Sequence, residues 1–236
     1  YPGFITSSVP FAERRFITMT LQEAKEQIVY YMREMYHQDM VNLFEGNISM
    51  RWEDRYLITP SQTDKETMTA DMVLELDENG TVLNPECGKR PSSEFKMHLQ
   101  AYKVCPRANA VVHNHSAYAT AFAAAGQPIC SRGLAEVLEI FEQIPVVPYG
   151  RPGTPEIAAG FAEYLPRYSS VLLENHGLVA VGPNLLVAYS QARAVEKLAK
   201  IMICTRILGG EKALPDEEVA ALQQLAQMHK KAAAGK

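Results

Sequence analysis

The chain has 236 residues and a mass of 26.3 kDa; 47% of its residues are hydrophobic and 21% are charged. This composition is ordinary for a globular protein with a sizeable core. We expect a single domain over residues 1–236, with a core from about 20 to 210 and a C-terminal helix and tail at 211–236. A net charge of −4 without a basic stripe argues against a nucleic-acid partner. No apolar run reaches about 18 residues and no basic-then-apolar leader opens the chain, so we expect no membrane partner.

The spacing of the cysteines indicates the redox state of the cellular compartment. The four cysteines show no Cys-x-x-Cys spacing and stand in apolar surroundings: Cys87, Cys105, Cys130 and Cys204. Such scattered residues are typical of buried free thiols rather than of a disulfide framework or a cysteine-rich zinc-binding motif. We therefore predict a reducing, cytoplasmic location.

The first predicted elements are one helix and two hairpins. Thr20 and Glu23 form a capping box that opens a helix running to about His37. Two strands at 45–52 and 55–59 follow, around a short turn. A second hairpin is predicted from strands at 72–76 and 81–83, because Asn-Gly at 79–80 is a strong turn signal.

The remaining chain alternates helical and extended patterns. Apolar spacing predicts helices at 94–104, 117–125, 134–141, 155–165, 185–208 and from Pro215 onward, and extended segments at 110–114, 144–147 and 170–181. Asn184 and Gly209 are the signals that begin and end the longest helix. Hairpins mixed with helices predict an α/β fold, a single layered domain whose central, mostly antiparallel sheet is covered by helices.

The most informative motif is the His-x-His pair at the end of an apolar run. His113 and His115 follow Val111 and Val112. If this run is a strand, side chains alternate and both imidazoles point to the same side. Two imidazoles on one face are typical of a transition-metal site. A histidine pair held only by hydrogen bonds is the alternative interpretation.

A third histidine and a carboxylate extend this motif. His176 stands where a second apolar run breaks at Gly177, and Glu94 precedes the first pair. Three histidines and one carboxylate fit a zinc-type site. We therefore predict one Zn²⁺ bound by His113, His115 and His176, with Glu94 as a ligand or close neighbour. The other histidines lie in helical patterns and are interpreted as solvated or satisfied structural residues: His37, His98 and His229.

An anion site is predicted next to Glu94. Ser92 and Ser93 stand at a helix start, where free N–H groups and the helix dipole attract negative charge. One serine acting only as a helix cap is the alternative. Loops at Gly46-Asn47 and at Ser61 offer further donors. Together, three such loops predict a cradle for a phosphate group.

The position of Glu94 indicates a reaction class. Its carboxylate directly follows the predicted anion pocket and adjoins the predicted metal. A carboxylate placed there can bind the metal or move a proton as a general base. A metal can stabilise the negative charge that develops on substrate oxygens beside a carbonyl. These residues therefore predict metal-assisted chemistry beside a carbonyl group of a phosphorylated substrate.

Five short segments follow one another in a specific order: Glu45–Ser49, Leu57–Ser61, Pro91–Glu94, Val112–Ser116 and Asn175–Leu178. In this order they resemble the class II (zinc) sugar-phosphate aldolases of the aldolase/adducin family. The resemblance implies a homotetramer with one zinc ion per subunit and a catalytic glutamate that matches Glu94. The three zinc-binding histidines match His113, His115 and His176. The phosphate-binding residues of the family match Gly46, Asn47, Ser61, Ser92 and Ser93.

The resemblance implies reversible cleavage of a ketose 1-phosphate to dihydroxyacetone phosphate and a short aldehyde such as lactaldehyde. The chain departs from the family pattern in two places. Gln62 occupies a position usually held by Gly, where a side chain would impede close backbone approach. No tyrosine follows Tyr189, and the one expected shortly after Pro128 is absent, although the ketose 1-phosphate aldolases use a C-terminal tyrosine as proton donor at the aldehyde oxygen.

Alternative functions remain open. The ribulose-phosphate 4-epimerases of the family have Asp where this chain has Glu94, which favours an aldolase. A decarboxylase or dehydratase of the family is a second alternative, because it would not require the missing tyrosine. A non-enzymatic adducin-like module would not need the metal ligands. A metal-dependent amidohydrolase also uses His-x-His, but its barrel requires a strand–helix alternation that this sequence lacks.

Overall fold

A computed structural model describes residues 19–234, with side chains described to residue 228. It contains seven strands: β1 (Asn47–Trp52), β2 (Arg55–Ile58), β3 (Leu74–Leu76), β4 (Ala110–Asn114), β5 (Val146–Val147), β6 (Ser170–Leu173) and β7 (Gly177–Gly182). They form one sheet in the order β3-β2-β1-β4-β7-β6-β5. Every neighbouring pair is antiparallel except β5 and β6. The prediction of a mostly antiparallel central sheet is confirmed.

The described residues form six α-helices: α1 (Leu21–His37), α2 (Phe95–Val104), α3 (Ala117–Ala124), α4 (Phe161–Tyr164), α5 (Leu185–Ile207) and α6 (Asp216–Ala234). The predicted capping box is present, since Thr20 Oγ1 accepts from the Glu23 N–H and Glu23 accepts from the Thr20 N–H. The predicted Asn184 cap is present as well, with its side chain accepting from Val187 N–H.

The central strand β4 joins two apolar cores. Its five residues are all buried, and neighbouring side chains point to opposite faces. Val112 packs into the core that contains residues of α1, α3 and α5, whereas Val111 packs into the core that contains residues of α2 and α4. Burial on both faces makes β4 a rigid platform for the polar residues at its end.

Three predicted elements differ from the structure. The second hairpin is only partly formed: residues 81–83 pair with one edge of β3 through the antiparallel bridge from Val82 to Leu76 and the backbone bond from Leu83 N–H to the Glu75 carbonyl, but they do not form a full strand. The helix at 155–165 is interrupted at Gly160 into a 3₁₀ turn and the short α4. The helix at 134–141 is mainly a single π turn at Val137–Phe141.

The cysteines are free, as predicted, but mostly not buried. Cys105 is buried, Cys87 is half-buried, and Cys130 and Cys204 are exposed. None of the helices within residues 19–234 combines the length and apolar character required to cross a bilayer.

Candidate metal and anion site

Two structural elements bring the three histidines together. His113 lies in β4, opposite Asn47 of β1 and Val179 of β7, and His115 follows just beyond the strand end. His176 occupies the tight turn between β6 and β7, preceded by Asn175 in a left-handed conformation with φ 57°. Gly177 lets this turn approach β4 closely, because a Cβ there would stand 2.5 Å from the Asn114 carbonyl oxygen.

The histidine nitrogens converge as the sequence predicts. One ligand nitrogen of each histidine lies within 4.8 Å of those of the others. His113 Nε2 is 3.0 Å from His115 Nε2. His113 Nδ1 is 3.0 Å from the Leu178 carbonyl oxygen, so Nδ1 carries the proton and Nε2 presents its lone pair to the cluster.

Glu94 completes the cluster. Its two carboxylate oxygens lie 3.2 Å from His113 Nε2 and 3.1 Å from His176 Nε2. Ligand atoms of a tetrahedral site with bonds of about 2.0–2.1 Å lie ~3.3 Å apart. The spacing and the nitrogen–oxygen donor set therefore fit a single divalent metal of the zinc type.

The electrostatics of the cluster favour a bound cation. Burial alone would raise the pKa of Glu94, but His113, His176 and Asn47 outweigh burial and hold that pKa well below its usual range. Burial and the two neighbouring imidazoles lower the pKa of His115 to about 3, which keeps this histidine neutral. For His113, burial is outweighed by Glu94, and its pKa is raised. The cluster thus combines an ionised carboxylate with a neutral His115, and a bound metal would displace the proton that Glu94 favours on His113.

A buried chain of polar groups supports Glu94 from behind. Asn47 Nδ2 donates to Glu94 Oε2 at 2.8 Å, and Asn47 Oδ1 lies 2.5 Å from His98 Nε2. Ser49 Oγ bridges His98 Nδ1, at 2.6 Å, and the Tyr102 hydroxyl, at 2.7 Å. Since His98 Nε2–H donates to the amide oxygen, the Asn47 NH₂ group must face Glu94.

His98 was therefore predicted correctly as a satisfied histidine, but its link to the site was missed. A signal was available, because His98 follows Glu94 by four residues and lies on the same side of α2. Glu45 was also missed as a neighbour of the cluster; its carboxylate oxygen lies 3.9 Å from His115 Nδ1. At this distance Glu45 adds negative charge beside His115 without a hydrogen bond to it.

A cleft of about 510 Å³ opens beside the histidines. All five predicted phosphate-binding residues line it, together with Glu94 and two of the histidines: Gly46, Asn47, Ser61, Ser92, Ser93, Glu94, His115 and His176. His113 is fully buried behind this lining. The structure thus brings the predicted metal and anion residues to one cavity. It also adds Lys65, for which the sequence carried no signal.

The two serines have different environments. Ser92 is buried, and its hydroxyl accepts from the Glu94 N–H at 3.3 Å. Ser93 is exposed on the cleft and makes no hydrogen bond to another described residue. Neither serine is the N-cap of α2, which is Glu94 itself. The prediction that one serine serves only as a helix cap is therefore replaced by a turn role for Ser92.

Backbone geometry adapts two loops to a close ligand. Gly46 has φ 67°, and a Cβ there would stand 2.3 Å from Val41 Cγ1 and 3.0 Å from the His113 carbonyl oxygen. Gln62 has φ 48°, which is the left-handed conformation that glycine adopts easily. The departure at Gln62 thus retains the backbone path expected of glycine and adds a side chain at the cleft wall.

The chain resembles known proteins in both sequence and fold. The sequence profile of the Class II Aldolase and Adducin N-terminal domain matches residues 26–203. The chain belongs to this family. It is 38% identical over 178 residues to the L-fuculose phosphate aldolase of Escherichia coli O6:H1, covering 75% of this chain and 81% of that protein. A solved structure of L-fuculose 1-phosphate aldolase superposes with a TM-score of 0.79 at 30% identity, covering 88% of this chain and 98% of the other.

Relatives of comparable similarity differ in substrate or reaction. The 5-methylthioribulose-1-phosphate/5-deoxyribulose-1-phosphate aldolase of Escherichia coli O45:K1 is 35% identical, covering 75% of this chain and 82% of that protein. The 3-oxo-tetronate 4-phosphate decarboxylase of Haemophilus influenzae is 32% identical, covering 87% and 98% respectively. The prediction that the chain is an enzyme of the class II aldolase type, similar to L-fuculose-1-phosphate aldolase, is confirmed.

Proposed function

We propose that this protein is a zinc-dependent aldolase that reversibly cleaves a ketose 1-phosphate to dihydroxyacetone phosphate and a short aldehyde such as lactaldehyde. The observation that carries the proposal is the position of Glu94 in a single cleft, between three histidines and a wall of serines. The aldolase relatives with two different ketose 1-phosphate substrates support a shared phosphate end and a variable aldehyde end.

His113, His115, His176 and, in the resting enzyme, Glu94 would bind the metal. A zinc ion bound there supplies a Lewis acid for the oxygens next to the cleaved bond. Gly46, Asn47, Ser61, Ser92 and Ser93 would bind the phosphate and place the adjacent carbons beside Glu94. The homotetramer remains an implication of the family resemblance.

Glu94 would move the proton of the reaction. In the cleavage direction the C4 hydroxyl passes its proton to water or another side chain, the C3–C4 bond breaks, and C4 leaves as an aldehyde. C3 then accepts a proton from the Glu94 carboxyl group, which first takes up that proton from solvent, and this step yields dihydroxyacetone phosphate. The Asn47 amide would hold the carboxylate in place during these steps. In the condensation direction the aldehyde oxygen needs a proton donor. Because no tyrosine follows Tyr189, water or another side chain would donate this proton, so we expect loose aldehyde specificity.

A decarboxylase reaction on a related sugar-acid phosphate is the second candidate. It is favoured by the decarboxylase relative, which is 32% identical over 87% of this chain. The missing C-terminal tyrosine is consistent with it, because loss of carbon dioxide leaves no aldehyde oxygen to protonate. Both reactions would use the same metal, phosphate and Glu94 positions.

Exchange of the C3 proton of dihydroxyacetone phosphate with deuterated water tests the aldolase proposal. We expect NMR to show metal-dependent exchange by the intact enzyme. In Glu94→Gln exchange should fall by about 10²- to 10⁴-fold, because the proton carrier is removed while the side-chain shape is retained. Metal analysis of both proteins is the control, since lost metal would also abolish exchange.

The opposite result favours the second candidate. An intact, metal-loaded enzyme that catalyses no C3 exchange but releases carbon dioxide from a 3-oxo sugar-acid phosphate would refute the aldolase. A product epimerised at C4 of a pentulose 5-phosphate would instead indicate the epimerase reaction.

A further inference from the structure

Lys65 is a buried charged residue for which the proposed mechanism has no role. The residue is 1% exposed and lies in the loop between β2 and β3, four positions after Ser61. It lines the cleft together with Ser61, Ser92 and Ser93. Lys65 therefore borders the space assigned to an anion.

No residue that the structure describes supplies a counter-ion to this ammonium group. Among the described residues, none forms a hydrogen bond or an ion pair with Lys65. Asp64 is its acidic neighbour in sequence, but the Asp64 carboxylate accepts a hydrogen bond from the Glu66 N–H at 2.8 Å. Burial dominates over Asp64 and lowers the pKa of Lys65 to about 8.

Another buried charge in the same part of the fold is compensated. Glu75 of β3 is 6% exposed, and it contacts Lys25 Nζ at 2.7 Å and Arg55 Nη1 at 2.7 Å. Burying a charge without such partners opposes folding, since the lost hydration is not replaced. The contrast indicates that the partner of Lys65 is not among the described residues, and an anion bound in the cleft would supply it.

We infer that Lys65 is the counter-ion and specificity determinant for the phosphate group of the substrate, acting with the serine hydroxyls of the cleft. This inference rests on the proposed function, because that function assigns the phosphate to this wall. Hydroxyl groups donate hydrogen bonds but leave a dianion uncompensated, whereas an ammonium group adds a full positive charge. Lys65 would thereby favour phosphorylated sugars over neutral ones.

Titration of inorganic phosphate into the zinc-loaded full-length protein tests the inference by calorimetry. Lys65→Met keeps an unbranched side chain and removes the charge. We expect the variant to weaken phosphate binding by roughly 10- to 100-fold, as for a lost hydrogen bond to a charged group. Lys197→Met removes an exposed lysine of α5 outside the cleft lining and should bind phosphate like the wild type.

Thermal unfolding separates this role from a structural one. Without phosphate, Lys65→Met should unfold at a temperature no lower than the wild type, because an uncompensated buried charge is removed. Phosphate should raise the unfolding temperature of the wild type and of Lys197→Met much more than that of Lys65→Met. In steady-state kinetics KM for the sugar phosphate should rise while kcat changes little.

Three other outcomes would overturn the inference. Wild-type protein that binds phosphate no better than Lys65→Met does, while Ser93→Ala weakens binding, would overturn the role of Lys65 and leave the proposed function intact. Wild-type protein that binds no phosphate would refute the phosphate site of the proposed function and this inference with it. If Lys65→Met and the polar variant Lys65→Gln both fail to fold, the lysine is structural and the inference is wrong.

Discussion

The metal half of the cleft consists of His113, His115, His176 and Glu94, whose polar atoms already contact one another at 3.0–3.2 Å. The anion half consists of Gly46, Ser61, Ser92, Ser93 and Lys65. There, the side chains of Ser61, Ser93 and Lys65 form no hydrogen bond with other described residues. The first half is organised before any ligand arrives, whereas the second becomes fully paired only through a ligand. The preformed arrangement of the three histidines and Glu94 would thus bind a cation. The unpaired serine hydroxyls and the charge of Lys65 would bind an anion.

The largest expected effect is removal of the third metal ligand. His176→Ala should lose the bound metal, and activity should fall by at least about 10³-fold, because two histidines and a carboxylate leave the coordination open. Elemental analysis and activity measurements check this. His37→Ala, at a half-exposed histidine paired with Glu66, is the matched control and should keep its metal.

Full metal occupancy in His176→Ala would show that the cluster is not the metal site. The convergence of the three imidazoles would then be explained by hydrogen bonding alone.

The second effect concerns Asn47, which lines the cleft and donates a hydrogen bond to Glu94. His98→Gln should lower kcat by about 10- to 100-fold with little change in metal content, because the Asn47 amide loses the partner that turns it toward Glu94. Steady-state kinetics and metal analysis provide the measurement. An exposed control, Gln22→Ala on α1, should leave kcat unchanged. Unaltered kcat in His98→Gln would show that Glu94 does not need this support.

The same residue predicts a pH dependence of stability. Burial, followed by the charge of His113, lowers the pKa of His98 to about 3. Between that pKa and the ordinary value of about 6.5 the unfolded chain binds a proton that the folded chain does not. The free energy of unfolding should therefore fall as the pH drops below about 6.5, and denaturant titrations should show a weaker fall in His98→Gln. An identical slope in both proteins would contradict this account.

A smaller effect is expected for Ser93. Ser93→Ala should raise KM for the sugar phosphate by about 3- to 10-fold with kcat nearly unchanged, since a uniformly used hydrogen bond is lost. Ser92→Ala is the informative comparison, because Ser92 lines the cleft and its hydroxyl also accepts from the Glu94 N–H. The Ser92→Ala variant should have a lower kcat and a lower free energy of unfolding than the wild type, with only a small change in KM. Equal changes in the two variants would contradict the division of roles between these serines.

The smallest effect is expected at Gln62. Gln62→Gly relieves a left-handed backbone at φ 48° but makes the unfolded chain more flexible, so the free energy of unfolding should change by less than about 1 kcal/mol. KM for the sugar phosphate should change by less than about twofold, because the backbone path is already that of glycine. A much lower KM in the glycine variant would show that the Gln62 side chain obstructs the anion half.

Local signals determined much of the fold and the metal half. The capping box at Thr20, the Asn184 cap and the alternation around His113 each act within a few residues, so the sequence alone predicts the corresponding helix starts and strand. The His-x-His spacing places two ligands on one strand face for the same reason. His176 and Glu94 were predicted from motif type and order, and the sheet then brought them within contact of His113.

Pairing and burial were decided only by the tertiary structure. The Asn79-Gly80 turn predicts the antiparallel approach of residues 81–83 to Leu74–Leu76, but the pairing of those residues with β2 in the sheet is a long-range choice that turn chemistry does not encode. Lys65 lies in a polar segment typical of an exposed loop. Its burial beside the serines results from the packing of that loop against the cleft. That no described carboxylate pairs with it can be recognised only from the three-dimensional positions of the acidic side chains.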